Sequence, residues 1–168
     1  MARVKKRISI VLVDDAPPQR EDVVALIRKV RAFRVQTISA KFEEVAQALR
    51  TTRPDLVLLN LARKGRGRLK FAAELHRTAP ALPVIIMGLA WRREDVVGLV
   101  RAGVAGFIMA DAPFDTYLTT VQRVVKGERV LPTDLTNALF VQLRRRRRAR
   151  PAASALPPVR LSILQARS

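Results

Sequence analysis

The chain contains no cysteine, which rules out disulfides and thiolate metal sites. Acid is scarce: 14 Asp and Glu stand against 32 Lys and Arg, giving a net charge of +18. No apolar run approaches the ~18 residues needed to cross a bilayer. The start, Met1 to Arg7, is basic, but the apolar stretch Ile8 to Val13 is too short for a signal-peptide core. The single histidine, His76, has no Cys, His or acidic partner at ligand spacing, so it is not read as a metal ligand. A Gly-rich phosphate loop, a nucleophile–base pair and a metal cluster of recognised spacing are all missing, so no enzyme is expected. A soluble, cytoplasmic protein without a membrane partner is the expectation.

What is present is enough for one domain and an extension: 168 residues, 49% of them hydrophobic. The basic excess has two sources. Residues 135–168 hold eight Lys and Arg and no acid, and the remaining 134 residues carry +10. Such an excess draws polyanions and says nothing about fold. The competing reading is an Arg-rich, solvated surface.

Strand and helix signals alternate over the first ~130 residues. The runs Ile8–Val13, Val35–Ser39, Asp55–Asn60, Pro83–Met87 and Val104–Met109 predict five buried strands. Helices are predicted after Pro17-Pro18, over Phe42–Arg50, Leu69–His76 and Glu94–Ala102, and over Pro113–Lys126. Gly103 and Gly127 close the last two. The strands are continuously apolar rather than alternating, which argues for a parallel sheet covered on both faces. In such sheets the working site lies beyond the carboxyl ends of the strands. Asp14-Asp15, Asn60, Gly88 and Ala110 fall at those ends.

A sixth, amphipathic helix is predicted over 132–150, with Leu135, Leu139 and Leu143 on one stripe. It runs into Arg144-Arg145-Arg146-Arg147-Arg148. Residues 151–168 read as a Pro/Ala-rich, extended tail. The organisation is therefore a domain over 1–131, a linker helix over 132–150 and a tail over 151–168.

The motifs Val11-Leu12-Val13-Asp14-Asp15, Pro54-Asp55-Leu56-Val57-Leu58-Leu59-Asn60-Leu61, Pro83-Val84-Ile85-Ile86-Met87 and Arg101-Ala102-Gly103-Val104-Ala105-Gly106-Phe107 follow one another in order. With Val125-Lys126-Gly127-Glu128, they make the chain resemble the CheY-like receiver domain of bacterial response regulators of the NarL/FixJ type, over about residues 1–131. The resemblance implies an α/β, flavodoxin-like fold with a five-stranded parallel sheet in the order 2-1-3-4-5. It also implies a site of five parts. These are an acidic pair and an acceptor aspartate that bind Mg²⁺, a Ser or Thr after the fourth strand, a Lys after the fifth, and an aromatic switch residue on the fifth.

Position by position, Asp14 and Asp15 match the acidic pair and Phe107 matches the aromatic. Asn60 stands where the phosphorylated aspartate is expected, Gly88 where the hydroxyl residue is expected, and Ala110 where the lysine is expected. An amide cannot do a carboxylate's nucleophilic chemistry, so a degenerate, phosphorylation-independent receiver is expected. Asp14 and Asp15 remain open to weak Mg²⁺ binding or to capping the following turn; no other cofactor is expected. Phe107 is read as a packing residue ahead of a switch. Trp91 is open to anchoring a partner or covering the altered pocket. Arg63 or Lys64, in the basic loop after Asn60, is a candidate to fold over the acidic pair in place of a metal.

Two functions follow as expectations. In one, the chain is the pseudo-receiver of a transcription regulator, working through protein contacts and dimerisation. DNA is then bound by Arg144–Arg148, without sequence readout, or by an output domain beyond Ser168. In the other, it is a stand-alone adaptor in a signalling pathway without DNA binding.

Overall fold

The computed structural model describes residues 6–15, 21–61, 66–89, 93–132, 136, 144 and 145. Strands β1 (Ile8–Asp14), β2 (Phe33–Ile38), β3 (Leu56–Asn60), β4 (Val84–Leu89) and β5 (Gly106–Met109) pair in parallel in the order β2-β1-β3-β4-β5. Helices α1 (Glu21–Lys29), α2 (Phe42–Thr52), α3 (Arg66–Thr78), α4 (Arg93–Arg101) and α5 (Phe114–Val125) alternate with them. This is the doubly wound order expected from the sequence.

The pleat explains why the strands read as unbroken apolar runs. Ile10 and Leu12 of β1, Leu56 and Leu58 of β3, Ile85 and Met87 of β4, and Ile108 of β5 share one face. There they pack with Val24 and Ile27 of α1 and Tyr117, Val121 and Val124 of α5. Their neighbours Val11, Val13, Val57, Leu59, Ile86 and Phe107 point to the other face and are also buried. With helices on both sides, neither half of the alternation is exposed in these four strands, whereas the edge strand β2 exposes Arg34 and Gln36.

Several boundaries differ from the sequence expectation. β2 begins at Phe33, two residues early, because the buried Phe33 ring and its register with Ile8 extend the ladder past the exposed Arg34. α3 begins at Arg66 rather than Leu69. The helix runs through Gly67 despite a propensity cost of about 1 kcal/mol, because Arg68, Phe71, Ala72 and Leu75 form its buried stripe. β5 begins at Gly106 rather than Val104. Ala105 reaches β4 through one backbone bond to Val84 (2.8 Å) before the regular ladder starts. α2 ends in an unsignalled cap: Arg53 adopts the left-handed conformation (φ 46°) and its N–H donates to the Leu49 carbonyl at 3.2 Å.

Gly88 was expected to follow the fourth strand. It lies inside β4 instead, which continues to Leu89. The pairing with β5 shifts between Met87 and Leu89, and Gly88 sits there at φ +72°. A bulge at the carboxyl end of the strand is served by this conformation, which glycine takes without a Cβ penalty.

The chain divides into two compact units, Met1–Val130 and Leu131–Ser168. The sheet and its helices belong to the first. In the second, Thr136 is helical and donates its N–H to the Pro132 carbonyl at 3.2 Å. Arg144 and Arg145 are helical and exposed. The rest of the predicted linker helix, Arg146 to Arg148 and the tail lie outside the described residues, as do Pro17-Pro18. Among the described residues no helix is long and apolar enough to cross a membrane.

Candidate functional site

Parallel pairing fixes where the polar residues converge. β1 and β3 run side by side with Asp14 in register with Asn60, so both strands deliver their last side chain to one edge. Asp15 continues from β1, its N–H donating to the Asn60 carbonyl at 3.2 Å. Asn60 is fully buried (0% exposed), while Asp14 and Asp15 are half-buried. The Asn60 amide Nδ2 donates to Asp14 Oδ1 at 3.0 Å. A buried amide needs such a partner, and the bond to an ionised carboxylate is a strengthened one.

Gly88, Ala110 and Phe107 contribute no reactive group to the rim. Gly88 is buried in the β4 bulge and offers only backbone. Ala110 is exposed in the turn after β5. Phe107 is 4% exposed. A Cβ at its neighbour Gly106 would meet Thr120 and Val124 of α5, so the pleat sends the Phe107 ring to the opposite face, into the core.

Sequence reasoning missed Arg68. Its guanidinium is almost wholly buried (8% exposed), and Nη2 donates to the Leu61 carbonyl at 3.1 Å. This ties the start of α3 to the residue directly after Asn60. The signal was present, since Arg68 stands three, four and seven residues before Phe71, Ala72 and Leu75. It was hidden because Gly65-Arg66-Gly67 reads as loop. Arg63, Lys64 and Trp91, the candidates for covering the site, lie outside the described residues. Arg144 and Arg145 belong to the second unit.

Beside this rim, the Ser39 hydroxyl donates to the Glu44 carboxylate. That hydrogen bond, helped by the Lys41 ammonium (3.6 Å), holds the Glu44 carboxyl below its ordinary range.

An open parallel sheet in the order 2-1-3-4-5, with a carboxylate pair and a buried polar side chain at its carboxyl edge, defines a doubly wound α/β domain whose working crevice lies at that edge. The chain belongs to the response regulator receiver domain family, which it matches over residues 10–122. It is 27% identical over 138 residues to a nitrate/nitrite response regulator protein homolog of Haemophilus influenzae, covering 82% of this chain and 66% of that one. The nitrate/nitrite response regulator protein NarL of Escherichia coli is likewise 27% identical, with 83% of this chain and 64% of NarL covered. The chain thus spans slightly less than two thirds of the length of these relatives. Among solved structures, a two-component response regulator of the LuxR family from Aurantimonas sp. superposes with a TM-score of 0.69 at 21% identity, covering 82% of this chain and 99% of that one.

The family implies a magnesium ion at the acidic pair. The donor set here does not fit a tightly held divalent cation. Asp14 Oδ1 already accepts the Asn60 amide, and the residue at the end of β3 adds no negative charge. Among the described residues no three Asp, Glu, His or Cys side chains gather into a metal-binding group.

Proposed function

We propose that this chain is a phosphorylation-independent receiver, a pseudo-receiver whose site is held in one state by its own side chains. The observation that carries the reading is the hydrogen bond from Asn60 Nδ2 to Asp14 Oδ1. It occupies the place of an acceptor carboxylate with a donor that cannot attack phosphorus, and it gives Asp14 a partner from inside the protein. Gly88 and Ala110 support the same conclusion. At these two positions a phosphoryl group would meet neither the hydroxyl nor the amine that hold its charge in a working receiver. Mg²⁺ is at most a weak visitor at Asp14 and Asp15.

In this reading output comes from contacts rather than from a covalent signal. The receiver face binds protein partners, a second copy of the chain among them. Transcription is controlled through nucleic acid held by the Arg144–Arg148 run or by an output domain. The relatives named as nitrate/nitrite response regulators support a place in two-component transcriptional control. Treatment with acetyl phosphate and Mg²⁺, followed by intact-mass measurement, tests the reading. The expected spectrum is that of the untreated chain. A phosphoryl adduct lost on mild alkaline treatment would refute it.

A further inference from the structure

In a parallel sheet every strand begins at one end, and every crossover helix finishes there. At this end the first unit carries an unusual concentration of exposed cations. Lys6 and Arg7 lead into β1, Arg31 leads into β2, Arg34 is its second residue, and Arg53 leads into β3. These are the three adjacent strands β2-β1-β3, and their register aligns Ile8 with Phe33 and Ile10 with Leu56. Neighbouring strands lie ~4.8 Å apart, so the five positions crowd a strip about three strands wide.

The opposite end of the sheet is mixed in charge. Asp14, Asp15, Glu43, Glu44, Asp111 and Asp115 lie there, at strand ends and helix starts, together with Lys41, Arg66 and Arg68.

Helix dipoles explain part of this segregation. Acids favour helix N-termini and bases favour C-termini, as with Glu43 and Glu44 at the start of α2 and Arg50 in its last turn. They reach Arg53, the cap of α2, and Arg31, two residues past α1, but not Lys6, Arg7 or Arg34, which lie at strand starts. Among the described residues the fold uses the strip's side-chain charge only through Lys6. The one acid among these strand starts is Asp55, which accepts the Ser9 N–H at 2.8 Å and meets Lys6 at 3.9 Å. Among the described residues no ion pair involves Arg7, Arg31, Arg34 or Arg53. Like charges held together in solvent oppose folding slightly.

We propose that the strand-start end of the sheet, centred on Arg7, Arg31, Arg34 and Arg53, is a binding surface for the phosphate backbone of duplex nucleic acid, separate from Arg144–Arg148. Four of the five cations are arginine, whose planar fork matches phosphate oxygens in pairs. An anionic membrane is the less suitable partner. Such binding calls for apolar anchors beside the charge, and the exposed large hydrophobics among the described residues are Leu26 and Val125, each single. The proposal is independent of the phosphorylation-independent function and stands or falls separately from it.

The test is fluorescence anisotropy of a labelled random-sequence DNA duplex titrated with the full chain over a range of NaCl. Four forms are compared: wild type, R7Q/R31Q/R34Q, the Arg144–Arg148 run replaced by alanine, and both changes together. Arg53 is left in place because its left-handed backbone would confuse a folding comparison. The tail variant is expected to keep salt-dependent binding. Adding the three Gln changes should then flatten the salt dependence by roughly 2.7, at about 0.9 per lost phosphate contact. Circular dichroism melting of R7Q/R31Q/R34Q checks that the surface change leaves the fold intact; if it does not, single R31Q and R34Q must each lower the slope by about 0.9. A tail variant that no longer binds the duplex would overturn the proposal, as would Gln variants with an unchanged slope. Binding to phosphatidylserine vesicles that depends on these arginines, with no binding to the duplex, would also overturn it and assign the strip to a membrane.

Discussion

Asn60 occupies a position where charge and burial compete. It is fully buried, 3.0 Å from an aspartate, and an amide serves there better than an acid. Asn60→Asp exchanges a donor for a second carboxylate beside Asp14 and is expected to destabilise the fold by about 1–3 kcal/mol at neutral pH. Burial and the like charge raise the folded-state pKa of the new acid above its unfolded value. The deficit is therefore small below the unfolded pKa and grows as pH rises through the folded one. Urea denaturation across that range measures it; equal losses at low and neutral pH would contradict the role given to Asn60. Phosphorylation is not expected to gain a switch in this variant, because Gly88 and Ala110 still offer the phosphoryl group no partner. The sequence showed these positions plainly, since strand ends in a doubly wound sheet fall at predictable places. It did not show Arg68, because burial of an arginine depends on where its helix begins, and two glycines concealed that start.

Elements meet at close quarters where glycine lets them. Gly103 ends the turn after α4 at φ +90°, and a Cβ there would fall 2.4 Å from Nδ1 of His76 on α3. His76 thus packs over bare backbone. Gly103→Ala is expected to destabilise by about 1–3 kcal/mol through backbone conformation, with the ring contact adding to it. A double-mutant cycle with His76→Ala separates the two: relief of part of the loss locates the clash, and full additivity would contradict it. The five strands and five helices were legible because buried parallel strands leave apolar runs and helices leave a 3.6-residue stripe. The β4 bulge and the left-handed cap at Arg53 were not, since local sequence carries no count of how a neighbouring strand pairs.

At the scale of the molecule, charge is the dominant fact. A net +18 works against compactness, and salt screens it. Thermal stability is expected to rise steadily with NaCl as the screening length falls from about 10 Å toward about 3 Å. Thermal unfolding with its midpoint lowered by salt over this range would show that specific ion pairs outweigh the general repulsion. Composition revealed this excess but not its arrangement, because which loop lies at which end is decided by strand order and connection. The arrangement has a mechanical consequence. With acids mixed among bases at one end of the strands and the arginine strip at the other, the described residues of the first unit carry an electric dipole along the strand axis. Near any dense array of negative charge, that dipole feels a torque before it feels a contact. The domain would arrive already oriented, arginines leading, with the Asn60 edge turned outward toward the solution and whatever protein waits there.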